Sequence, residues 1–147
     1  MVTREANEQT FYYTNMTAQI GKGMNQDIWQ KLETAVRGWS SNIDTLYVVT
    51  GAMPTTPENT TITYTQDNRG KQIAVPKYYF KALCRINRAT GEAYTIAFKL
   101  DNRAYPNSES YMSHTLSVAE LERMTGFVFF PMIREQYKQT YDKNKWN

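Results

Sequence analysis

Polar and aromatic side chains recur at intervals of four in the first third of the sequence, at Asn25, Trp29, Glu33 and Arg37. On an α-helix, each step of four turns the side-chain direction by only ~40°, so these residues would form one slowly turning stripe. A hard cation such as Mg²⁺ takes oxygen ligands and keeps most of its waters. Asn25 could offer an amide oxygen and Glu33 a carboxylate, directly or through water. The planar guanidinium of Arg37 could pair with a phosphate oxygen.

Each residue of this stripe also fits a purely structural role. Asn25 is a favourable N-cap residue at a helix start. Glu33 and Arg37 form a favourably oriented ion pair on a helix surface. Trp29 suits a hydrophobic core as well as a stacking surface. The stripe alone therefore predicts the polar edge of a helix, and it leaves open whether that edge binds a metal.

The helix that carries the stripe is predicted from a second, apolar row of residues. Steps of four, four and three join its members, which are Ile28, Leu32, Val36 and Trp39. We predict that the helix opens at Asn25 and ends near Gly38 and the Ser-Ser-Asn segment 40–42.

Strand patterns occupy much of the remaining chain. Five segments carry β-branched and aromatic residues or alternating polarity: 10–14, 46–50, 73–75, 78–86 and 94–100. The last two are joined by a link that contains Gly91, which predicts an antiparallel hairpin. Segment 54–70 is rich in Pro, Thr, Asn and Gly and predicts an exposed excursion.

The C-terminal third predicts two further helices. Ser117 and Glu120 have the spacing of a capping box, and Gly126 can close that helix in the left-handed conformation. Residues at 133, 137 and 141 step by four and predict a terminal helix. Strands and helices mix without βαβ alternation. We therefore predict one α+β domain over residues 1–147, with an antiparallel sheet flanked by helices.

The composition is that of a globular domain with a mild positive charge. The 147 residues carry a net charge of +3, which tolerates a polyanionic partner without requiring one. Single copies of Cys84 and His114 exclude an intrachain disulfide and leave little material for a zinc site or a histidine-based triad. No segment reaches the ~20 apolar residues of a membrane span, so we expect no membrane partner. The polar N-terminus does not have the pattern of a signal peptide.

The stripe and the loop before it resemble the DNA/RNA non-specific endonuclease family, the ββα-metal nucleases of the His-Me finger group. In that family an Asn-x-(Ser/Thr)-Pro-Gln loop leads into Asn-x-x-x-Trp-x-x-Leu-Glu-x-x-x-Arg. Eight positions match in order: Asn15, Thr17, Gln19, Asn25, Trp29, Leu32, Glu33 and Arg37. Ala18 stands where the family usually has Pro. Segments 47–51, 75–81 and 117–126 also look like the family, so the resemblance covers nearly the whole chain.

The resemblance implies a role for each matched polar residue. Asn25 would be the only direct protein ligand of one Mg²⁺, Glu33 would bind or orient the waters of the metal, and Arg37 would stabilise charge on the phosphate or the leaving group. Asn15 and Gln19 would shape the loop beneath the site. The implied fold is a partial ββα-metal nuclease fold, and the implied substrates are DNA and RNA. Members of the family are often exported, which favours a secreted or periplasmic parent protein.

The general base of the family is missing from this sequence. That base is the histidine of an Asp-Arg-Gly-His motif upstream of the loop, whereas the two Arg-Gly pairs here are followed by Trp39 and Lys71. His114 lies in the C-terminal region and does not match. We therefore expect that the chain begins just downstream of its own catalytic strand and that it has little activity alone.

Two other functions stay open at the level of sequence. The chain could be a non-catalytic nucleic-acid-binding or interaction module built on a nuclease-derived fold. It could also be a self-associating fragment, a homodimer for example, because loss of an N-terminal part would expose a sheet edge.

Overall fold

A four-stranded antiparallel sheet forms the centre of the computed structural model, which describes residues 18–41 and 45–146. Its strands are β1 (Thr45–Met53), β4 (Tyr78–Ile86), β5 (Ala93–Asp101) and β6 (Thr115–Leu116), and they lie in the order β1-β4-β5-β6. A separate two-stranded ribbon consists of β2 (Thr63–Gln66) and β3 (Gln72–Val75). The predicted hairpin is confirmed as the β4–β5 pair, and Gly91 in its link has a φ of 73°. The strand predicted at 10–14 lies outside the described residues.

Helices cover both faces of this sheet, which confirms the predicted α+β class. The helix α1 (Ile28–Ser40) packs on the face that carries Tyr79 and Leu83 of β4. The helix α2 (Val118–Thr125) packs on the opposite face, against Phe80 and Cys84. Successive side chains of a strand point to opposite faces, so β4 supplies both cores. Among the described residues, no helix has the length and apolar character needed to cross a membrane.

The start of α1 differs from the prediction. The sequence predicts that Asn25 opens the helix, but α1 begins at Ile28, and Asn25 ends a separate turn of π-type over Gly21–Asn25. Gly23 causes the interruption, because its φ of 80° is left-handed and a Cβ there would lie 2.9 Å from the Ala104 Cβ. Its N–H donates to Asp27 Oδ2 at 2.6 Å. The chain therefore enters the helix two residues later than the capping preference of Asn25 predicts.

The C-terminal elements follow the prediction in part. Ser117 Oγ accepts a hydrogen bond from the Glu120 N–H at 3.1 Å, and Gly126 ends α2 with a φ of 77°, so this capped helix is confirmed. The terminal helix predicted from residues 133, 137 and 141 is wrong in extent. It shrinks to α3 (Gln136–Gln139), because Thr140 has extended backbone, and a 3₁₀ turn follows at Lys143–Trp146.

Candidate functional site

The stripe predicted from the spacing of four is divided between α1 and the turn before it. Trp29 is buried against the sheet, the Glu33 side chain is 40% exposed, and Arg37 is exposed near the end of α1. Asn25 is exposed in the π-type turn that precedes α1. One side of the helix therefore passes from a buried ring to a solvent-facing carboxylate and guanidinium.

Lys81 of β4 joins this stripe from the sheet. Its side chain is only 7% exposed, and Nζ lies 4.0 Å from Glu33 Oε1. Nζ also lies 4.7 Å from the centre of the Trp29 ring and donates a hydrogen bond to Thr50 Oγ1 at 2.8 Å. The alternation of β4 places Lys81 opposite its apolar residues, which would normally indicate a solvent face. That face is instead buried by α1, so the sequence pattern did not indicate this contact.

Burial and two neighbouring charges determine the direction in which the pKa of Lys81 is changed. Burial is the largest effect and lowers the pKa of this lysine below its ordinary value, because a desolvated ammonium is disfavoured. The Glu33 carboxylate opposes that change in pKa, and the Arg37 guanidinium adds to it. Glu33, Arg37 and Lys81 thus interact as one charged cluster across the α1–β4 boundary.

The segment before Asn25 is held in place by Asn102, a residue that follows β5. Its Nδ2 donates to the Ala18 carbonyl at 2.8 Å and to the Pro76 carbonyl at 3.0 Å, and its Oδ1 accepts from the Ile20 N–H at 3.0 Å. Gln19, predicted to support the site, lies within this segment and is half-buried. Asn15, predicted for the same loop, lies outside the described residues. No motif in the sequence indicated Asn102, because its partners are distant in sequence.

The single histidine lies in a different neighbourhood. His114 Nε2 is 2.8 Å from Glu109 Oε1, and its ring packs edge-on against Tyr105 at 5.1 Å. The loop that carries Glu109 also receives a hydrogen bond from Lys31 Nζ to Asn107 Oδ1 at 2.8 Å. Lys31 is two positions from Glu33, about 200° around the helix. His114 is therefore associated with the side of α1 that faces away from Glu33.

The donor set suits a cation that keeps most of its own water. In the described parts of the chain, no cluster of three or more His, Cys, Asp or Glu side chains could enclose a metal. Asn25 and Glu33 offer a neutral and a charged oxygen donor, and both are open to solvent. Mg²⁺ dehydrates reluctantly and is commonly bound through one or two protein oxygen ligands. The residues present therefore fit Mg²⁺ better than a metal that requires a closed set of nitrogen or sulfur ligands.

Comparison with known proteins gives one consistent result. The family described as DNA/RNA non-specific endonuclease matches residues 1–136. Nuclease C1 of Cunninghamella echinulata var. echinulata is 30% identical over 132 residues, which are 88% of this chain and 52% of that protein. The mitochondrial nuclease of Saccharomyces cerevisiae is 27% identical over 150 residues, covering 96% of this chain and 46% of that protein. The chain spans about half the length of the curated relatives it matches.

Human mitochondrial endonuclease G is a further relative, 26% identical over 134 residues, with 89% of this chain and 44% of that protein covered. Among solved structures, a chain of the EndoG/EndoGI complex superposes with a TM-score of 0.72 at 23% identity. The superposition covers 95% of this chain and 58% of that one. At this level of identity the superposition establishes a shared fold.

Proposed function

The chain belongs to the DNA/RNA non-specific endonuclease family, and from this membership we propose that it forms the metal-binding part of an Mg²⁺-dependent endonuclease that hydrolyses both DNA and RNA. Its α+β fold is the partial ββα-metal nuclease fold that the resemblance implied. One observation carries the proposal: Glu33 and Arg37 lie on the solvent-facing side of α1, with Asn25 in the turn before the helix.

Each residue of this site has a proposed task. Asn25 and Glu33 supply the oxygen donors for Mg²⁺, and the bound ion would act as a Lewis acid on the scissile phosphodiester. Arg37 pairs its planar guanidinium with a phosphate oxygen and stabilises the negative charge that develops there. Gln19 and Asn15 support the loop that leads to Asn25. Because these contacts go to phosphate rather than to base edges, they do not distinguish one base sequence from another.

The general base remains unassigned in this sequence. A base must come within hydrogen-bonding reach of the attacking water. The one histidine, His114, is instead engaged with Glu109 on another side of α1. We propose that the chain alone cleaves nucleic acid weakly or not at all. The enzyme assignment requires an in-frame Arg-Gly-His upstream of Met1. Sequencing the gene in that direction therefore tests the assignment.

Metal binding is the first test of the site. We expect Asn25→Ala and Glu33→Gln each to weaken Mg²⁺ binding by about tenfold or more, measured by isothermal titration calorimetry. Exposed residues of the same type outside the stripe provide matched controls, namely Asn68→Ala and Glu135→Gln. Equal affinity in the wild type, Asn25→Ala and Glu33→Gln would remove both residues from the proposed site.

A second candidate function is a non-catalytic nucleic-acid-binding module. The observation in its favour is that the one histidine of the sequence, His114, is engaged by Glu109 away from the polar stripe, so it does not serve the stripe as a general base. Binding to a DNA duplex that weakens steeply with salt, with no cleavage even after the upstream sequence is restored, would support this function. Cleavage of plasmid DNA and of RNA by the restored protein would support the endonuclease.

A further inference from the structure

A buried lysine lies directly beneath the candidate site and has no role in the proposed chemistry so far. Lys81 is fixed by the sheet, because its backbone pairs with Thr50 of β1 on one side and with Phe98 of β5 on the other. Its ammonium therefore has a location set by the sheet, while Glu33 belongs to α1. The contact between them ties a side chain of the helix to a fixed point on the strand.

The partners of Lys81 leave its ammonium few directions in which to move. Thr50 Oγ1 accepts one N–H at 2.8 Å, and the Trp29 ring covers the charge at 4.7 Å. Trp29 is itself held by Tyr79, whose ring centre is 5.7 Å away at a tilt of 58°. A cation held over an aromatic face and bonded to a hydroxyl is restrained on two sides. On another side of the ammonium, Glu33 Oε1 lies 4.0 Å away.

The distance to Glu33 distinguishes Lys81 from Lys138, which is also buried. Lys138, on the opposite face of the sheet, closes to 3.2 Å from Glu122 Oε2, which is a direct hydrogen bond. Lys81 stays 4.0 Å from Glu33 Oε1, which is an ion pair without a direct hydrogen bond. A lysine that served only to close a buried ion pair would gain by the shorter contact. The longer contact leaves the hydrogen-bonding capacity of the carboxylate for another donor.

We infer that Lys81 is a positioning residue that holds the Glu33 carboxylate at the sheet side of the site, with Thr50 and Trp29 holding Lys81 in turn. The inference rests on the proposed function only in that Glu33 is taken as the carboxylate of the site. Lys81 acts through Glu33 and touches neither the cation nor the substrate. The Thr50–Lys81–Glu33 chain thus connects strand β1 to the stripe on α1.

The order of the Glu33 side chain tests this role without any metal or substrate. Carbon relaxation of the Glu33 Cγ methylene is measured by NMR in the wild type, Lys81→Met, Lys81→Arg and Thr50→Val. We expect the order parameter of this methylene to fall in Lys81→Met relative to the wild type and to recover in Lys81→Arg. Thr50→Val, which removes only the hydroxyl partner of Lys81, lowers it by a smaller amount. Methionine fills the space of the lysine stem, and the Glu33 side chain is 40% exposed and stays solvated without its partner, so we expect Lys81→Met to keep the fold.

Lys99→Met is the matched control. Lys99 lies on the opposite face of the sheet, 4.9 Å from the Tyr78 ring and 3.0 Å from Asp101 Oδ1, so it has the same kinds of partner away from the site. The Lys99→Met substitution should leave the order parameter of the Glu33 side chain unchanged. An unchanged order parameter in Lys81→Met, or an equal loss in Lys99→Met, would overturn the inference.

A double-mutant cycle with Mn²⁺ separates this inference from the proposed metal site. We expect Lys81→Met to change the Mn²⁺ affinity by about threefold or more in the wild type and to have no effect in Glu33→Gln. An equal change in both backgrounds would mean that Lys81 acts on the cation directly, which overturns the positioning role. Absence of Mn²⁺ binding by the wild type would contradict the proposed metal site, and the relaxation data would still decide the role of Lys81.

Discussion

Burial affects two titratable side chains of β4 in opposite directions. It lowers the pKa of Lys81, and it raises the pKa of the Cys84 thiol to about 11 with Lys138 partly opposing the rise. In both cases desolvation disfavours the charged form. The surroundings differ, because Lys81 meets a carboxylate at the α1 face whereas Cys84 lies in the apolar core on the α2 face. Cys84 is therefore a neutral, unreactive thiol at ordinary pH.

The Cys84 thiol should make the fold sensitive to alkaline pH. Between its ordinary pKa near 9.0 and the folded pKa of about 11, the unfolded chain binds fewer protons than the folded chain. The free energy of unfolding must then fall as the pH rises through this window, by up to ~3 kcal/mol. We expect the wild type to lose this amount relative to Cys84→Ala, measured by urea unfolding at successive pH values. The buried tyrosines titrate in both proteins, so a pH dependence that is equal in the two would contradict the prediction.

At the scale of elements, the sequence predicts those helices, hairpins and caps that are determined by residues close together in the chain. The spacing from Ile28 to Trp39 indicated α1, the alternation around Gly91 indicated the β4–β5 hairpin, and Ser117 indicated the cap of α2. Each of these patterns reflects a local periodicity or a local hydrogen bond. The start of α1 escaped prediction because a tertiary contact between Gly23 and Ala104 decides it.

The candidate site was predictable only on the helix side. Glu33 and Arg37 follow from their spacing and from the family resemblance. Lys81 and Asn102 did not, because their partners come from segments far away in sequence. A lysine at the polar position of an alternating strand ordinarily faces water. Only the placement of α1 over that face brings Lys81 to Glu33.

The loop after α2 shows another element held by a long-range contact. Glu122 Oε2 accepts a hydrogen bond from the Phe129 N–H at 2.9 Å and pairs with Lys138 Nζ at 3.2 Å. Phe130, the next residue, has a φ of 52°, which is left-handed and costly for a bulky side chain. The carboxylate and the buried lysine therefore hold the loop in a conformation that its own sequence disfavours.

Glu122 and Lys138 together form a clamp on this loop, and breaking the clamp should destabilise the fold. The effects of the two substitutions should not be additive. We expect Glu122→Gln and Lys138→Met each to lower the free energy of unfolding by about 3 kcal/mol, since each leaves a buried partner uncompensated. The double variant should lose less than the sum of the two by at least about 1 kcal/mol, measured by urea unfolding. Glu135→Gln is the control, because its carboxylate is 64% exposed and lies 3.7 Å from Lys138. Strictly additive losses would contradict the clamp.

At the largest scale, one edge of the sheet presents an apolar surface within the part of the molecule that the structure describes. In the part of the chain that the structure describes, β1 pairs only with β4. Its consecutive residues Tyr47, Val48 and Val49 are 43%, 40% and 38% exposed, so both faces of the strand are apolar and open. An apolar groove of about 590 Å³ lies between β1 and the loop at 127–131, where Phe80 packs over Gly51. Continuous apolar strands of this kind are usually interior strands of a sheet.

We expect this edge to make the chain self-associate, because its exposed apolar side chains offer surface to bury and, among the described residues, no second strand pairs with β1. Light scattering after size-exclusion chromatography should give a mass above that of one chain, increasing with concentration. Val48→Lys places a charge on the edge and should raise the dissociation constant by about tenfold or more. Tyr64→Lys, on the exposed β2–β3 ribbon, is the matched control and should leave it unchanged. A wild-type mass of one chain at every concentration would mean that β1 does not serve as a contact between copies.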